Sequence, residues 1–294
     1  MKTLDQRLLC VRESAQKSIK IMILGLGSVG NYLLDYLMST MDESFEIIVV
    51  GRNFSKMESD VNIVRIASLI RKQCRSTVTI EAGIDFDNVN QIAECIKKHD
   101  PDFIVNSSRV YSGLKYGSIS WHNVRAYGIW TPLAMKYIKN IMRAYEAAGS
   151  RAIIINTSYS DAVIPWLKSA GEPFPDFGSG NINHLIPRIK YATANMLHIE
   201  DYWNVGVMLA TSHFHDVVIS KEGHTEGIDV LIKLFYKNQP LDFPQQLIFE
   251  KCKIAMPTDA KRNMMNASSN YDIIMSVLTA LREKTNQTFF APGA

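Results

Sequence analysis

Short apolar runs alternate with longer stretches of mixed apolar and polar positions through most of the chain. Four of these runs predict strands, at 19–24, 45–50, 77–82 and 103–106, and the first two have the aliphatic, β-branched content of buried strands. The segments between them place apolar residues at helical spacing, over about 29–39, 55–74 and 89–98. This alternation predicts crossover connections and an α/β fold with a doubly wound, mostly parallel sheet.

The second half of the chain carries a less regular pattern. It predicts a helix over 132–148, a strand over 152–156 and a helix over 186–197. Residues 172–180 are rich in Pro, Gly and Ser and predict an internal boundary, which gives domains 1–171 and 172–294. Strands over 205–210 and 247–254 and a last helix over 271–283 predict a mixed α/β second lobe.

A glycine-rich turn follows the first predicted strand and leads into an amphipathic helix. In Gly25-Leu-Gly27-Ser-Val-Gly30, the first glycine permits a tight turn, the second lets a pyrophosphate approach, and the third allows close helix–strand packing. The backbone amides of Ser28 and Val29, at the helix N-terminus, would bind phosphate. The motif alone is weak, but this strand–turn–helix setting predicts a Rossmann-type dinucleotide-binding domain in the first half.

The residues after the second strand bear on the choice between NAD and NADP. NAD-binding proteins usually carry a carboxylate here for the ribose 2′-hydroxyl, whereas an arginine accommodates the 2′-phosphate of NADP. This chain has Gly51-Arg52-Asn53 and no carboxylate, so NADP is slightly preferred, with Arg52 and Asn53 as cofactor contacts. An Arg52 side chain that stacks on the adenine, or that is only solvated, remains open.

Composition and charge exclude several other classes of protein. The 294 residues are 47% hydrophobic and 21% charged, as in a globular protein, and the net charge of +3 is spread without a basic cluster, so nucleic acid is not an expected partner. The four cysteines form no C-x-x-C pair, which argues against zinc and disulfides and favours reduced thiols. No signal peptide or membrane span is expected, and the predicted location is cytoplasmic.

Several short motifs, in order and in spacing, resemble the lactate/malate dehydrogenase superfamily. Each is degenerate, and their order along nearly the whole chain carries the resemblance. They are Asn106-Ser107-Ser108-Arg109 after the fourth strand, Asn123-Val124, the run Ile155-Asn156 to Asp161, Arg188, His213 and Ala291-Pro-Gly-Ala294 at the end. The last resembles the beginning of the family's C-terminal hairpin, so the sequence leaves open whether the domain continues further.

The resemblance implies hydride transfer between NAD(P) and a small carboxylate-bearing carbonyl or hydroxy compound, such as a 2-oxo or 2-hydroxy acid. It implies that His213 exchanges a proton with the substrate oxygen, that Arg188 binds the carboxylate and that Asn156 orients the polarised oxygen. It also implies a homodimer or homotetramer. Further contacts implied are Asn106, Ser107 and Asn123 for the cofactor and Arg109 for the substrate.

One departure from the family pattern bears directly on activity. The family holds its histidine with an aspartate three residues before the substrate arginine, and here that position is Leu185. Two alternatives therefore stay open. One is imine reduction of the saccharopine-reductase kind, whose nucleotide domain the segment Ile84-Asp85-Phe86 resembles, with Asp85 as a cofactor contact. The other is a catalytically inactive nucleotide-binding protein.

Loop residues at the carboxyl ends of the strands could replace the missing group. Asp161 and His184 are expected to face the cofactor cleft and are candidate substrate contacts, or they only cap helices. His213 and His215 could lie on one strand face as metal ligands, but no third ligand is evident and no metal site is predicted.

Overall fold

The computed structural model describes residues 3–14, 18–41, 43–72, 75–110, 131–180, 182–211, 215–257 and 259–292. They form two compact units, one of Met1–Ser179 with Asp259–Ala294 and the other of Gly180–Thr258. The sequence predicted a boundary at 171/172 and left the last helix in the second domain. In the structure that helix, Asn263–Glu283, belongs to the first unit because it packs against the helix Ser28–Met38.

The first unit alternates strands and helices as the sequence predicts. Its β1, β2 and β4 begin and end at the predicted residues. In chain order the elements are α1 (Leu4–Ser14), β1 (Ile19–Leu24), α2 (Ser28–Met38), β2 (Phe45–Val50), α3 (Phe54–Ile70), β3 (Thr77–Glu81), α4 (Val89–His99), β4 (Phe103–Asn106), α5 (Thr131–Ala147), β5 (Ile153–Asn156), α6 (Ser160–Ser169) and β6 (Phe177–Gly178).

The second unit contains α7 (Ile182–Leu197), β7 (Val205–Ala210), α8 (His215–Glu222), β8 (Leu231–Tyr236), β9 (Gln239–Leu241) and α9 (Gln245–Lys251). The chain then re-enters the first unit with α10 (Asn263–Glu283). No helix among the described residues is long and apolar enough to cross a lipid bilayer.

The sheet of the first unit confirms the predicted α/β class. Its six strands are all parallel and lie in the order β3-β2-β1-β4-β5-β6. The direction of winding reverses between the neighbours β1 and β4, where Ile21 pairs with Phe103. This order is that of a doubly wound dinucleotide-binding sheet, which leaves a crevice outside the carboxyl ends of the strands at the reversal.

Helices cover both faces of this sheet, which explains why its central strands are mostly apolar. In β1, Ile21 and Ile23 face the core that includes α2 and α10, while Met22 and Leu24 face the core that includes α4 and α5. All four side chains are inaccessible to solvent. Because each buried side chain of this size contributes about 1.5–3 kcal/mol, a strand buried on both faces fixes the centre of the sheet.

A buried ion pair attaches α1 to the edge of the sheet. Arg7 donates to the Asp176 carboxylate at 2.6 Å, the Tyr145 hydroxyl at 3.1 Å and the Ala152 carbonyl oxygen at 3.0 Å. Burial alone would lower the pKa of Arg7, but Asp176 and Tyr145 outweigh it and raise the pKa above its usual value. Burial also raises the pKa of Tyr145 to about 12.

The second unit is mixed α/β, as predicted, although two of its segments differ from the prediction. The predicted strand over 247–254 is wrong, since Gln245–Lys251 is a helix that follows Pro244 and buries Ile248 and Phe249. The hairpin β8–β9 was not predicted. It completes the antiparallel sheet β7-β8-β9 through a turn in which Lys237 and Asn238 have φ of +49° and +66°.

Candidate functional site

The glycine turn lies at the carboxyl end of β1, where the winding of the sheet reverses. Gly25 has φ +91°, and its amide donates to the Val50 carbonyl oxygen at 2.9 Å. A Cβ on this residue would lie 2.8 Å from the Ser108 Cα. Both the positive φ and the close approach of the loop after β4 therefore require glycine at this position.

The other end of the motif is also closely packed. A Cβ on Gly30 would overlap the Gly25 carbonyl oxygen, so α2 can approach the turn only if this residue is glycine. The Ser107 hydroxyl donates to the same oxygen at 2.6 Å. Ser107, predicted as a cofactor contact, thus positions the turn from the neighbouring strand.

Gly27 differs from both, because a Cβ built on it would meet no atom within 4 Å. It is the N-cap of α2 without a side-chain capping bond, and the first turn carries no acidic residue. Among the described residues, the amides of Ser28, Val29 and Gly30 find no acceptor. Open space beside unpaired amides at a helix N-terminus is suited to binding an anionic group such as a pyrophosphate.

The ends of β2 and β3 lie on one side of the glycine turn, because both strands precede β1 in the sheet order. Arg52 is exposed, and its carbonyl oxygen accepts from the Gly83 amide at 3.2 Å. The Asn53 side chain caps α3 by accepting from the Lys56 amide at 3.0 Å. Asp85 is also exposed, and its Oδ1 accepts from the Asp87 amide at 3.1 Å. The side chains of Asn53 and Asp85 therefore stabilise the local backbone, whereas that of Arg52 does not.

The predicted residues Asn106 and Asn156 meet at the carboxyl ends of β4 and β5. Asn106 Nδ2 donates to Asn156 Oδ1 at 2.8 Å, and its own Oδ1 accepts from the amide and hydroxyl of Ser108. Asn156 Nδ2 donates to the Ser158 carbonyl oxygen at 2.9 Å. Both side chains are buried at about 1% exposure or less. This network fixes the loops after the two strands.

Residues that the sequence analysis missed extend this network to α10. Asn270 is fully buried, accepts from the Ser179 hydroxyl at 2.6 Å and donates to the Thr157 hydroxyl at 3.0 Å. It therefore joins α10 to the loops after β5 and β6. The available signal was the pair Asn266 and Asn270, which places two amides four residues apart on the buried side of a helix.

Three predicted site residues of the first unit remain, and the structure describes two of them. Arg109 follows the network in the loop after β4, and Asp161 lies in the first turn of α6; both are half-buried. The residue before α6, Tyr159, has φ +50°. Asn123 lies outside the described residues.

The second unit contains the other predicted substrate residues. His184 and Arg188 both lie on α7 and are buried, with 4% of Arg188 exposed. The Arg188 guanidinium donates to the Cys252 carbonyl oxygen at 3.2 Å and to the sulfur of Met256 at 2.9 Å. Burial raises the pKa of the Cys252 thiol to about 12, although the charge of Arg188 opposes this. Arg188 thus holds the segment after α9.

Three further positions bear on the predicted acid–base chemistry or on the metal pair that the sequence allowed. Leu185, at the expected aspartate position, is fully buried in the apolar core of the second unit. His215 begins the helix α8 and therefore does not lie on a strand face, as the considered metal pair required. His213 lies outside the described residues.

Comparison with solved structures shows which fold this is. Malate dehydrogenase from Picrophilus torridus, in its apo form, aligns over 94% of this chain and 72% of its own, with 15% identity and a TM-score of 0.50. The chain therefore has the fold of the lactate and malate dehydrogenases. The predicted resemblance to this superfamily is confirmed for the fold.

Other solved structures give similar values. Lactate dehydrogenase from Eimeria maxima, with NADH and oxamate, covers 94% of this chain and 72% of its own at 13% identity, with a TM-score of 0.49. Malate dehydrogenase from Plasmodium falciparum, with NADH, covers 94% and 73% at 16% identity, with a TM-score of 0.48. No protein-family model and no curated protein sequence matches the chain. Because a fold hosts many functions, the activity has to be argued from the site.

Proposed function

We propose that the protein is an NAD(P)-dependent oxidoreductase whose cofactor binds at the glycine turn after β1. One observation carries this proposal: Gly27 faces open space beside unpaired amides, while Gly25 and Gly30 are closely packed. The turn lies at the sheet position where dinucleotides bind in doubly wound folds. The amides of Ser28 and Val29 would hold the pyrophosphate, and a bound nicotinamide would supply or accept a hydride.

The proposed cofactor is NADP in preference to NAD. Arg52 is exposed at the end of β2, and no carboxylate occupies the next four residues, 53–56. A guanidinium can bind the 2′-phosphate of NADP through charge-assisted hydrogen bonds. Asn53 is a weaker candidate for cofactor contact, because its side-chain oxygen already caps α3.

The proposed substrate is a small carboxylate-bearing carbonyl or hydroxy compound, such as a 2-oxo or 2-hydroxy acid. The motif order and the shared fold support this class. His213 would exchange the proton, while Arg188, Arg109, Asp161 and His184 would contact the substrate. Binding of a carboxylate by Arg188 requires its guanidinium to leave the Cys252 carbonyl oxygen. Asn156 would act through its fixed position in the buried network.

A second candidate function is nucleotide binding without hydride transfer. Leu185 is buried in an apolar core where the family has an aspartate, and Arg188 already binds a backbone carbonyl. The 2-oxo acid chemistry uses an aspartate beside the histidine and a guanidinium that binds the carboxylate. In this chain the first is replaced by leucine and the second is already hydrogen-bonded. Neither affects the glycine turn.

Titration and turnover assays separate these proposals. NADPH and NADH fluorescence is followed during titration with the protein, and absorbance is then followed with panels of 2-oxo acids and of amine–carbonyl pairs. Turnover of a 2-oxo acid supports the first proposal, and turnover only with amine–carbonyl pairs supports imine reduction instead. Binding without turnover supports the second candidate. Failure to bind either nucleotide refutes both.

Two variants test the proposed roles of His213 in proton exchange and of Arg188 in carboxylate binding. His213→Ala should lower kcat by about 10²–10⁴-fold with cofactor affinity unchanged, since the imidazole would act on the substrate. Arg188→Lys should raise KM for the acid if the guanidinium binds the carboxylate in two places. A His213→Ala variant with wild-type kcat removes this residue from the mechanism.

We further propose a cytoplasmic homodimer or homotetramer. The helix α3 exposes Ile63, Ile66 and Ile70 at helical spacing, with 58–75% of each side chain accessible. An apolar stripe of this kind favours association. Light scattering after size exclusion should give two or four chains, and Ile66→Glu should reduce this number.

A further inference from the structure

A strand and a helix of the first unit bring together three side chains that carry different metal-binding atoms. Glu81 ends β3, whereas Cys95 and His99 lie four residues apart on α4 and so share one helix face. A carboxylate oxygen, the thiol sulfur and an imidazole nitrogen all lie within 4.8 Å of one another. The shortest contact joins His99 Nε2 and Glu81 Oε1 at 2.8 Å. The glycine turn and the proposed substrate residues take no part in this cluster.

We propose that Glu81, Cys95 and His99 bind a Zn²⁺ ion. Zinc prefers thiolate, imidazole and carboxylate ligands, at about 2.0–2.3 Å from the metal. Three such ligands around a tetrahedral ion lie about 3.2–3.8 Å apart. Contacts of 2.8–4.8 Å therefore need only side-chain adjustments to close around the ion. The metal would take the place of the proton between His99 and Glu81.

A water molecule would complete the tetrahedron. His99 also lines a polar cleft of about 170 Å³, together with Glu46, Thr79 and Lys98. This cleft has room for a water molecule beside the His99 side chain. Three protein ligands and one water form a common coordination of zinc.

Lys98 is the group that competes with the metal. Its ammonium lies 2.6 Å from Glu81 Oε1, the oxygen that His99 also contacts. The Lys98 side chain is 63% exposed, so it can release the carboxylate into water, and exposed ion pairs contribute little to stability. Among the described residues, no hydrogen bond reaches Glu81 Oε2. The carboxylate therefore keeps one oxygen for a metal even with Lys98 in place.

Metal titration of the full-length protein tests this site. Protein treated with chelator and then dialysed is titrated with Zn²⁺ by calorimetry and with Co²⁺ by absorbance. We expect one ion per chain with a dissociation constant of about 1 µM or below, and a thiolate-to-cobalt charge-transfer band in the near ultraviolet. Excess Zn²⁺ should also raise Tm, since only the folded chain assembles the three ligands. Absence of saturable binding overturns the proposal.

Variants identify the ligands. Cys95→Ser should abolish the charge-transfer band and weaken Zn²⁺ binding by at least about tenfold. The matched control is Cys252→Ser, which changes a buried thiol of the second unit and should keep the band. His99→Gln changes a partly exposed side chain, so the fold should survive while affinity falls similarly. Lys98→Gln should strengthen binding several-fold. A band that survives Cys95→Ser, or wild-type affinity in His99→Gln, refutes this ligand set.

Discussion

Replacing Gly27 by valine should separate nucleotide binding from folding. The residue has φ −87° and ψ −165°, an extended conformation that valine adopts readily, and its Cβ would meet no atom within 4 Å. We therefore expect a change in unfolding free energy of no more than about 0.5 kcal/mol. The new side chain would occupy the space where a pyrophosphate approaches the amides of Ser28 and Val29. Losing one or two hydrogen bonds to a charged group, at about 1.5–3 kcal/mol each, predicts at least about tenfold weaker binding.

The matched variant is Gly30→Ala, which adds a smaller side chain at the third glycine. Its Cβ would overlap the Gly25 carbonyl oxygen, so α2 has to shift, and we expect a destabilisation of about 1–3 kcal/mol. Urea unfolding measures the stability of both variants, and NADPH fluorescence measures their affinity. Affinity within threefold of the wild type in Gly27→Val would falsify the proposed position of the pyrophosphate. A fully stable Gly30→Ala would contradict the packing argument.

Three further predictions concern the cofactor and stability. Arg52→Asp should weaken NADPH binding about tenfold to a hundredfold and NADH binding much less, as measured by parallel titrations; equal losses would remove Arg52 from cofactor choice. Arg7→Met should lower the unfolding free energy by about 3–5 kcal/mol, because it leaves the Asp176 carboxylate buried without its cation. Adding Asp176→Asn should give a loss smaller than the sum of the two single changes, whereas additive losses would show that the pair is not coupled. The pKa of Tyr145 is about 12 in the folded chain, against about 10 when unfolded. Its contribution to the free energy of unfolding should therefore be lost as pH rises from about 10 to 12. Tyr145→Phe should lack this alkaline component of the stability curve.

The parts of the fold that depend on local signals could be predicted from the sequence. The β1–turn–α2 unit is one example, because the positive φ at Gly25 and the close packing at Gly30 both demand glycine at those positions. The central strands of the parallel sheet are another, since burial on both faces makes them mostly apolar. The segment after Pro244 was misread because a short apolar run has no period that distinguishes a strand from a helix.

The parts of the site that depend on distant contacts could not be predicted in the same way. The role of Asn156 is set by Asn106, fifty positions away, and Arg188 is held by a carbonyl oxygen sixty-four positions away. The proposed zinc site depends on distant positions in the same way. The spacing of the four cysteines argued against a metal, but the proposed site needs one cysteine, a histidine on the next helical turn and a glutamate from a strand.

The carboxyl edge of the parallel sheet is divided between two kinds of polar environment, and this division constrains the chemistry. Around Gly27 the backbone amides are unpaired and face open space, so this part of the edge is able to bind a charged ligand. At the ends of β4 and β5, Asn106 and Asn156 are buried and bonded to each other. A buried amide that already has partners gains little by turning to a substrate, because its present hydrogen bonds would be lost. Under the proposed function, Asn156 would therefore act only from its fixed position, and the proton would be exchanged by a group outside this network, for which we propose His213.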